Sequence, residues 1–84
     1  MNITPLVEKI FTLAIKNEIA SDAGLKKMAY EFGHELYEII ADMNYEERQT
    51  YTKLYKAWDE SGLVTSDLTV SEIKKAIINK VSNG

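Results

Sequence analysis

The amino-acid sequence predicts an all-α fold, a compact single-domain bundle of four helices. Three observations carry that expectation. Apolar residues recur at i, i+3, i+4 and i+7 along most of the chain, the period of a helix with one buried face. Helix-start patterns stand at Thr4, Asn44 and Thr69, well spaced along the chain. No stretch alternates apolar and polar residues in the way of a half-buried strand. The length of 84 residues suits one domain, 1–84. Its core is modest, because a chain this short buries only about 60–65% of the surface its unfolded form exposes.

The first helix is expected over residues 5–20. Thr4 is a good N-cap, and Pro5 suits the first helical position, where its missing N–H costs nothing. Leu6, Val7, Ile10, Phe11, Leu13, Ala14 and Ile15 cover roughly half the circumference or more. That sweep predicts contact on two sides. The second helix is expected over 23–43, with Ser21 or Asp22 as N-cap. Leu25, Met28, Ala29, Phe32, Leu36, Ile39, Ile40 and Met43 form the strongest periodic stripe in the chain, predicting a core-facing helix.

Asn44 and Glu47 form an Asx variant of the capping box, opening a third helix over 45–61. Gly62 supplies the left-handed ending, which brings Leu63 back toward Trp58. Tyr51, Leu54, Tyr55 and Trp58 are its expected buried stripe. A linker as short as Asn44 leaves open whether helices two and three are one kinked rod, and it argues against an ideal up-down bundle. Residues 63–68 read as a loop. Thr69 and Glu72 make a T-x-x-E capping box, with Leu68 placed to staple onto Ile73. The fourth helix is expected over 70–82, burying Val70, Ile73, Ile77 and Val81, with Lys74, Lys75 and Lys80 suiting its C-terminal half. Residues 82–84 are expected to fray. The predicted core comprises Leu6, Ile10, Phe11, Ala14, Leu25, Met28, Phe32, Leu36, Ile39, Leu54, Trp58, Ile73 and Ile77.

Composition narrows the function. The net charge of −3 opposes phosphate-driven nucleic-acid binding. The bases are nine lysines and one arginine, Arg48, so bidentate reading of guanine has little to use. A helical nucleic-acid binder using Lys53, Lys56, Lys74 and Lys75 is the alternative. The sequence contains no cysteine, and its apolar runs stop at three residues, too short to cross a bilayer. The N-terminus lacks the basic and apolar regions of a signal peptide. A cytoplasmic protein without membrane contact is expected. Richness in Lys, Ile and Asn points to the A/T-rich genome of a low-GC bacterium or its phage.

The second helix carries the candidate site. Glu31, Glu35, Glu38 and Asp42 fall three or four positions apart, forming an acidic ridge roughly opposite Ala29 and Ile40. Three like-charge pairs cost on the order of 1 kcal/mol together, and acids toward a helix C-terminus oppose the macrodipole. A solvated face tolerates that cost; a docking ridge for a basic protein surface would turn it to steering and specificity. Gly33 costs about 1 kcal/mol relative to alanine inside a helix. Ala29 and Gly33 place two small residues on one side, flanked by Tyr30 and Tyr37. The groove suits either intramolecular packing, by Phe11 or Trp58, or a partner or homodimer surface around Tyr30, Gly33, His34, Tyr37 and Ala41.

Chemistry finds little footing. Glu31 and His34 have the E-x-x-H spacing of di-iron bundles, and His34-Glu35-x-x-Glu38 resembles half of a zincin motif. Each motif lacks its further ligands, so metal would need a symmetric dimer through His34. Read as a calcium loop ending at Glu72, the chain puts Ser61, Leu63 and Thr65 where anionic ligands belong. No Cys or Ser nucleophile motif and no phosphate loop is present. The expected protein is no enzyme, takes no cofactor, and works by binding a partner with a basic surface. Candidate kinds are a phage- or mobile-element-encoded inhibitor, an immunity-type protein or a small bacterial regulator. The partner-binding residues are Glu31, Glu35, Glu38, Asp42, Tyr30, Gly33, His34 and Tyr37.

Overall fold

A computed structural model describes residues 3–63 and 68–83. It contains four helices, α1 (Pro5–Asp22), α2 (Lys26–Asp42), α3 (Tyr45–Ser61) and α4 (Val70–Asn83), and no strand among the described residues. The expected loop lies partly outside the described residues, at 64–67, and with it the calcium-loop comparison at Thr65. At the C-terminus the helix does not stop at 82: α4 continues to Asn83.

α1 is the central element. Its wide apolar sweep buries Val7, Ile10, Phe11, Leu13, Ala14, Ile15 and Ala20, and α2, α3 and α4 all pack on it. One side of the core is closed by Leu54 and Trp58 of α3 and by Ile73 and Ile77 of α4. Phe11 meets Trp58 edge-on, with ring centroids 6.1 Å apart. Each fully buried side chain of this kind stabilises the fold by about 1.5–3 kcal/mol, and the fully buried helical residues lie on α1, α3 and α4.

The capping patterns read from sequence are present and joined to one another. Thr4 Oγ1 accepts from Val7 N at 3.2 Å and donates to Glu47 Oε2 at 2.7 Å. Glu47 Oε1 accepts from Asn44 N, and Asn44 Oδ1 accepts from Glu47 N, closing the capping box of α3. One carboxylate thus ties together the starts of α1 and α3. Thr69 and Glu72 exchange the same pair of bonds at the start of α4. Gly62 takes φ +74° and ends α3 as expected.

The expected start of α2 is corrected. Ser21 and Asp22 do not cap it; they form the last turn of α1. Gly24, at φ +76°, turns the chain and lets Leu25 N donate to Ala20 O at 2.9 Å. The glycine stop wins because it satisfies an end carbonyl of α1 at no steric cost. Leu25 is then the N-cap of α2, with no side-chain hydrogen bond. The kinked-rod alternative is also settled. Met43 and Asn44 both have extended backbone, so α2 and α3 are separate helices.

The larger correction concerns the buried face of α2. None of its residues is fully buried. Leu25 is 48% exposed and Met28 46%, and Phe32, Leu36 and Ile39 are only half-buried. Of the strongest periodic stripe in the chain, only Met43, just past the end of α2, is buried. α2 packs along α1 and meets α3 and α4 only marginally, and one cylinder covers only the middle of another's apolar face.

α2 is also the helix with the poorest local support. It lacks a side-chain N-cap, carries Lys26 and Lys27 where the dipole disfavours cations, and contains Gly33. Its C-terminus is held from α3. Arg48 Nε donates to Met43 O at 3.2 Å, and Arg48 Nη2 reaches Ile40 O at a weaker 3.5 Å. The chain's sole arginine is thus a C-cap for α2. Together these deficits amount to about 2–3 kcal/mol. Amide hydrogen exchange should show α2 opening first, about tenfold or more less protected than the interiors of α1 and α3. Equal protection across the helices would contradict this account.

Candidate functional site

The outer surface of α2 divides into two flanks that meet along its crest. Glu31, Glu35, Glu38 and Asp42 are all exposed on one flank. They do not share one environment. Glu35 borders the open side of α1, in a concavity of about 430 Å³ shared with Lys9, Lys16 and Lys74. On the other flank, Tyr30 and Tyr37 are 74% and 78% exposed. The Tyr30 and His34 rings lie 5° from parallel with centroids 6.2 Å apart, and His34 Nε2 is 3.2 Å from Glu38 Oε1. That contact joins the aromatic flank to the acidic one.

Gly33 belongs to neither flank. It faces α1, where Asn17 Nδ2 donates to Ala29 O at 2.6 Å. A Cβ at Gly33 would come within 2.9 Å of that nitrogen. The small-residue groove of Ala29 and Gly33 is therefore filled from within the molecule, by Asn17 and not by Phe11 or Trp58. An amide fits where a ring would not, because the groove offers a helix carbonyl as acceptor.

Beside this contact, α2 and α3 diverge over α1 to leave a cleft of about 330 Å³. Gly33 and Leu36 form one wall, Tyr51 and Tyr55 the other, and Asn17 and Glu18 lie at the α1 side. The expected buried stripe of α3 is corrected here. Leu54 and Trp58 are buried, whereas Tyr51 is half-buried and Tyr55 is 44% exposed. Tyr55 packs edge-on against Trp58 at 5.6 Å and against Tyr51 at 6.1 Å. The reason is the position of α2, too far from α3 to cover the tyrosines. The Trp58 indole N–H is buried with no hydrogen-bond partner among the described residues.

The alternative basic set is dispersed in role. Lys74 Nζ lies 3.0 Å from Glu8 Oε1, linking α4 to α1. Lys53 and Lys56 border shallow recesses on the outside of α3, and Lys75 is exposed on α4. Among the described residues, no three His, Asp or Glu side chains gather as metal ligands do. Nor is any helix among them long and apolar enough to cross a membrane.

Two titrations among the described residues are displaced. Burial pushes the Tyr51 hydroxyl up to about 12, with the neighbouring Tyr55 adding to the rise. The Thr69 backbone and side-chain hydrogen bonds hold Glu72 below its ordinary value.

Sequence reasoning did not single out Asn17, Arg48 or the Tyr51–Tyr55 wall as parts of this region. Asn17 did carry a signal, a lone amide between Ile15 and Ile19 on an apolar helix. No protein-family model matches the chain, and comparison with curated proteins and with solved structures finds no match.

Alanine at Gly33 gains about 1 kcal/mol of helix propensity but displaces Asn17 from Ala29 O, a bond of similar worth. Gly33→Ala alone should leave urea-unfolding stability nearly unchanged, whereas in an Asn17→Ala background it should stabilise by about 1 kcal/mol. The absence of that coupling would sink the Asn17 assignment. Tyr51 supplies a second test. Its folded-state pKa is raised, so its contribution is fully present below the unfolded value of about 10 and disappears as pH rises toward about 12. Stability should fall across that window, and the fall should be shallower in Tyr51→Phe.

Proposed function

We propose that this protein is a helical interaction module that acts by occupying a partner protein, with α2 as its docking helix. One observation carries the reading. The most strongly patterned helix of the chain buries none of its residues completely and leaves Leu25, Met28, Tyr30 and Tyr37 exposed. An amphipathic helix supported on one side only is how a helix is presented to another protein.

Three features support it further. The molecule exposes 5566 Å², about a tenth more than the roughly 5000 Å² of a compact monomer of this mass. Tyrosines with an apolar body and a polar tip favour interfaces. The acidic flank suits a partner with a basic surface, where it would steer association and set register. Occupying a partner requires no catalytic group, which fits an inhibitor or immunity-type protein. The Lys-, Ile- and Asn-rich composition favours a low-GC bacterium, or a phage or mobile element within one, as its setting.

Affinity capture from cells that naturally carry the gene, compared between wild type and two variants, tests this. Charge reversal at Glu31, Glu35 and Glu38 should reduce recovery of the partner severalfold, more at low salt than at high salt. Tyr30→Ala with Tyr37→Ala should do so at either. Undiminished capture by both variants would remove α2 as the docking surface. Light scattering on the purified protein separates a foreign partner from a second copy of this chain.

A further inference from the structure

The cleft between α2 and α3 holds two tyrosine rings that the fold does not finish covering. Tyr51 and Tyr55 form one wall, set at 60° to each other, opposite Gly33 and Leu36. Among the described residues their ring contacts are with each other and with Trp58, and none is with a lysine or arginine. Their π faces are negative, and a cation over such a face is attracted by the ring quadrupole.

The rest of the cleft has the same polarity. Glu18 contributes a carboxylate at the α1 side. Asn17 spends its Nδ2 on Ala29 O, so the other end of that amide is a carbonyl acceptor. On the outer side of Tyr55, Lys56 and Asp59 add one charge of each sign, which leaves the balance with Glu18 negative. The missing Cβ of Gly33 makes room for the Asn17 amide, which is thereby fixed at the α1 side of the cleft. The volume of about 330 Å³ lies at the bottom of the roughly 300–1,000 Å³ range of sites that enclose a whole ligand. It suits the head of one side chain.

We propose that the cleft between α2 and α3 is a receptor for a cationic side chain, an ammonium or guanidinium group, held against Tyr51 and Tyr55 and countered by Glu18. The source of that side chain rests on the partner-binding reading: the partner with a basic surface would insert it as an anchor beside α2. The chemistry of the cleft stands apart from that source and is testable without the partner.

The experiment is an NMR titration of the intact protein with tetramethylammonium chloride and, separately, with its neutral isostere tert-butanol. Tetramethylammonium should shift the Gly33 amide and the Tyr51 and Tyr55 ring signals, saturating in the millimolar range. Tert-butanol should bind roughly two- to thirtyfold more weakly, the span expected of cation–π attraction. Tyr55→Leu and Glu18→Gln, both at side chains outside the buried core, should each weaken tetramethylammonium binding. Equal affinity for the two probes, shifts confined to the acidic flank of α2, or wild-type affinity in either variant would overturn the proposal. Any of these results leaves the docking role of α2 to be judged by the capture experiment alone.

Discussion

The burial of α1 is the constraint on which the rest of this structure depends. With seven residues withdrawn from water, it is the one helix that the other three all use. α3 and α4 close over it and over each other, and Phe11 against Trp58 marks the centre of that closure. α2 has α1 alone. The result is a three-helix core with a fourth helix laid alongside, and that asymmetry separates the part of the chain that provides stability from the part that provides surface.

Polar contacts manage the asymmetry. Glu47 fastens the start of α3 to the start of α1 through Thr4, setting the relative height of the two helices. Arg48, the next residue, fastens the end of α2 to the start of α3 through Met43 O. Asn17 holds the N-terminal part of α2 against α1 through Ala29 O. Each contact fixes the register of a helix that apolar packing alone would allow to slide, since dispersion contacts have no direction and hydrogen bonds do. Arg48 brings only the C-terminal end of α2 to α3, and the cleft lies farther along α2, beside the Asn17 tie.

Much of the fold was legible in the sequence because its signals are local. Thr4, Asn44, Gly62 and the Thr69–Glu72 pair act within a few residues of themselves, and each does what its pattern implies. The two-sided contact of α1 was legible too, since an apolar sweep that wide has no other use. The errors of burial share one cause. Periodicity reports which face of a helix is apolar but not how many neighbours will cover it, so it places Leu25 and Met28 in a core they only border and Tyr55 in a buried stripe that leaves it exposed. Ser21 and Asp22 misled because a cap signal and a glycine stop compete for the same few residues. Of the candidate site, the exposed acids and tyrosines could be placed by projection. The Asn17 contact and the cleft could not, because both require the distance between helices.

The single-sided attachment of α2 has a consequence for how such a protein can vary over generations. Substitutions on the outer surface of α2 meet solvent, not three packed neighbours, so few of them disturb the core around Phe11 and Trp58. Selection can therefore rewrite the acidic and tyrosine flanks of α2 while α1 and the Thr4–Glu47 tie stay as they are. The helix that buries none of its residues completely is for that reason the most adaptable one.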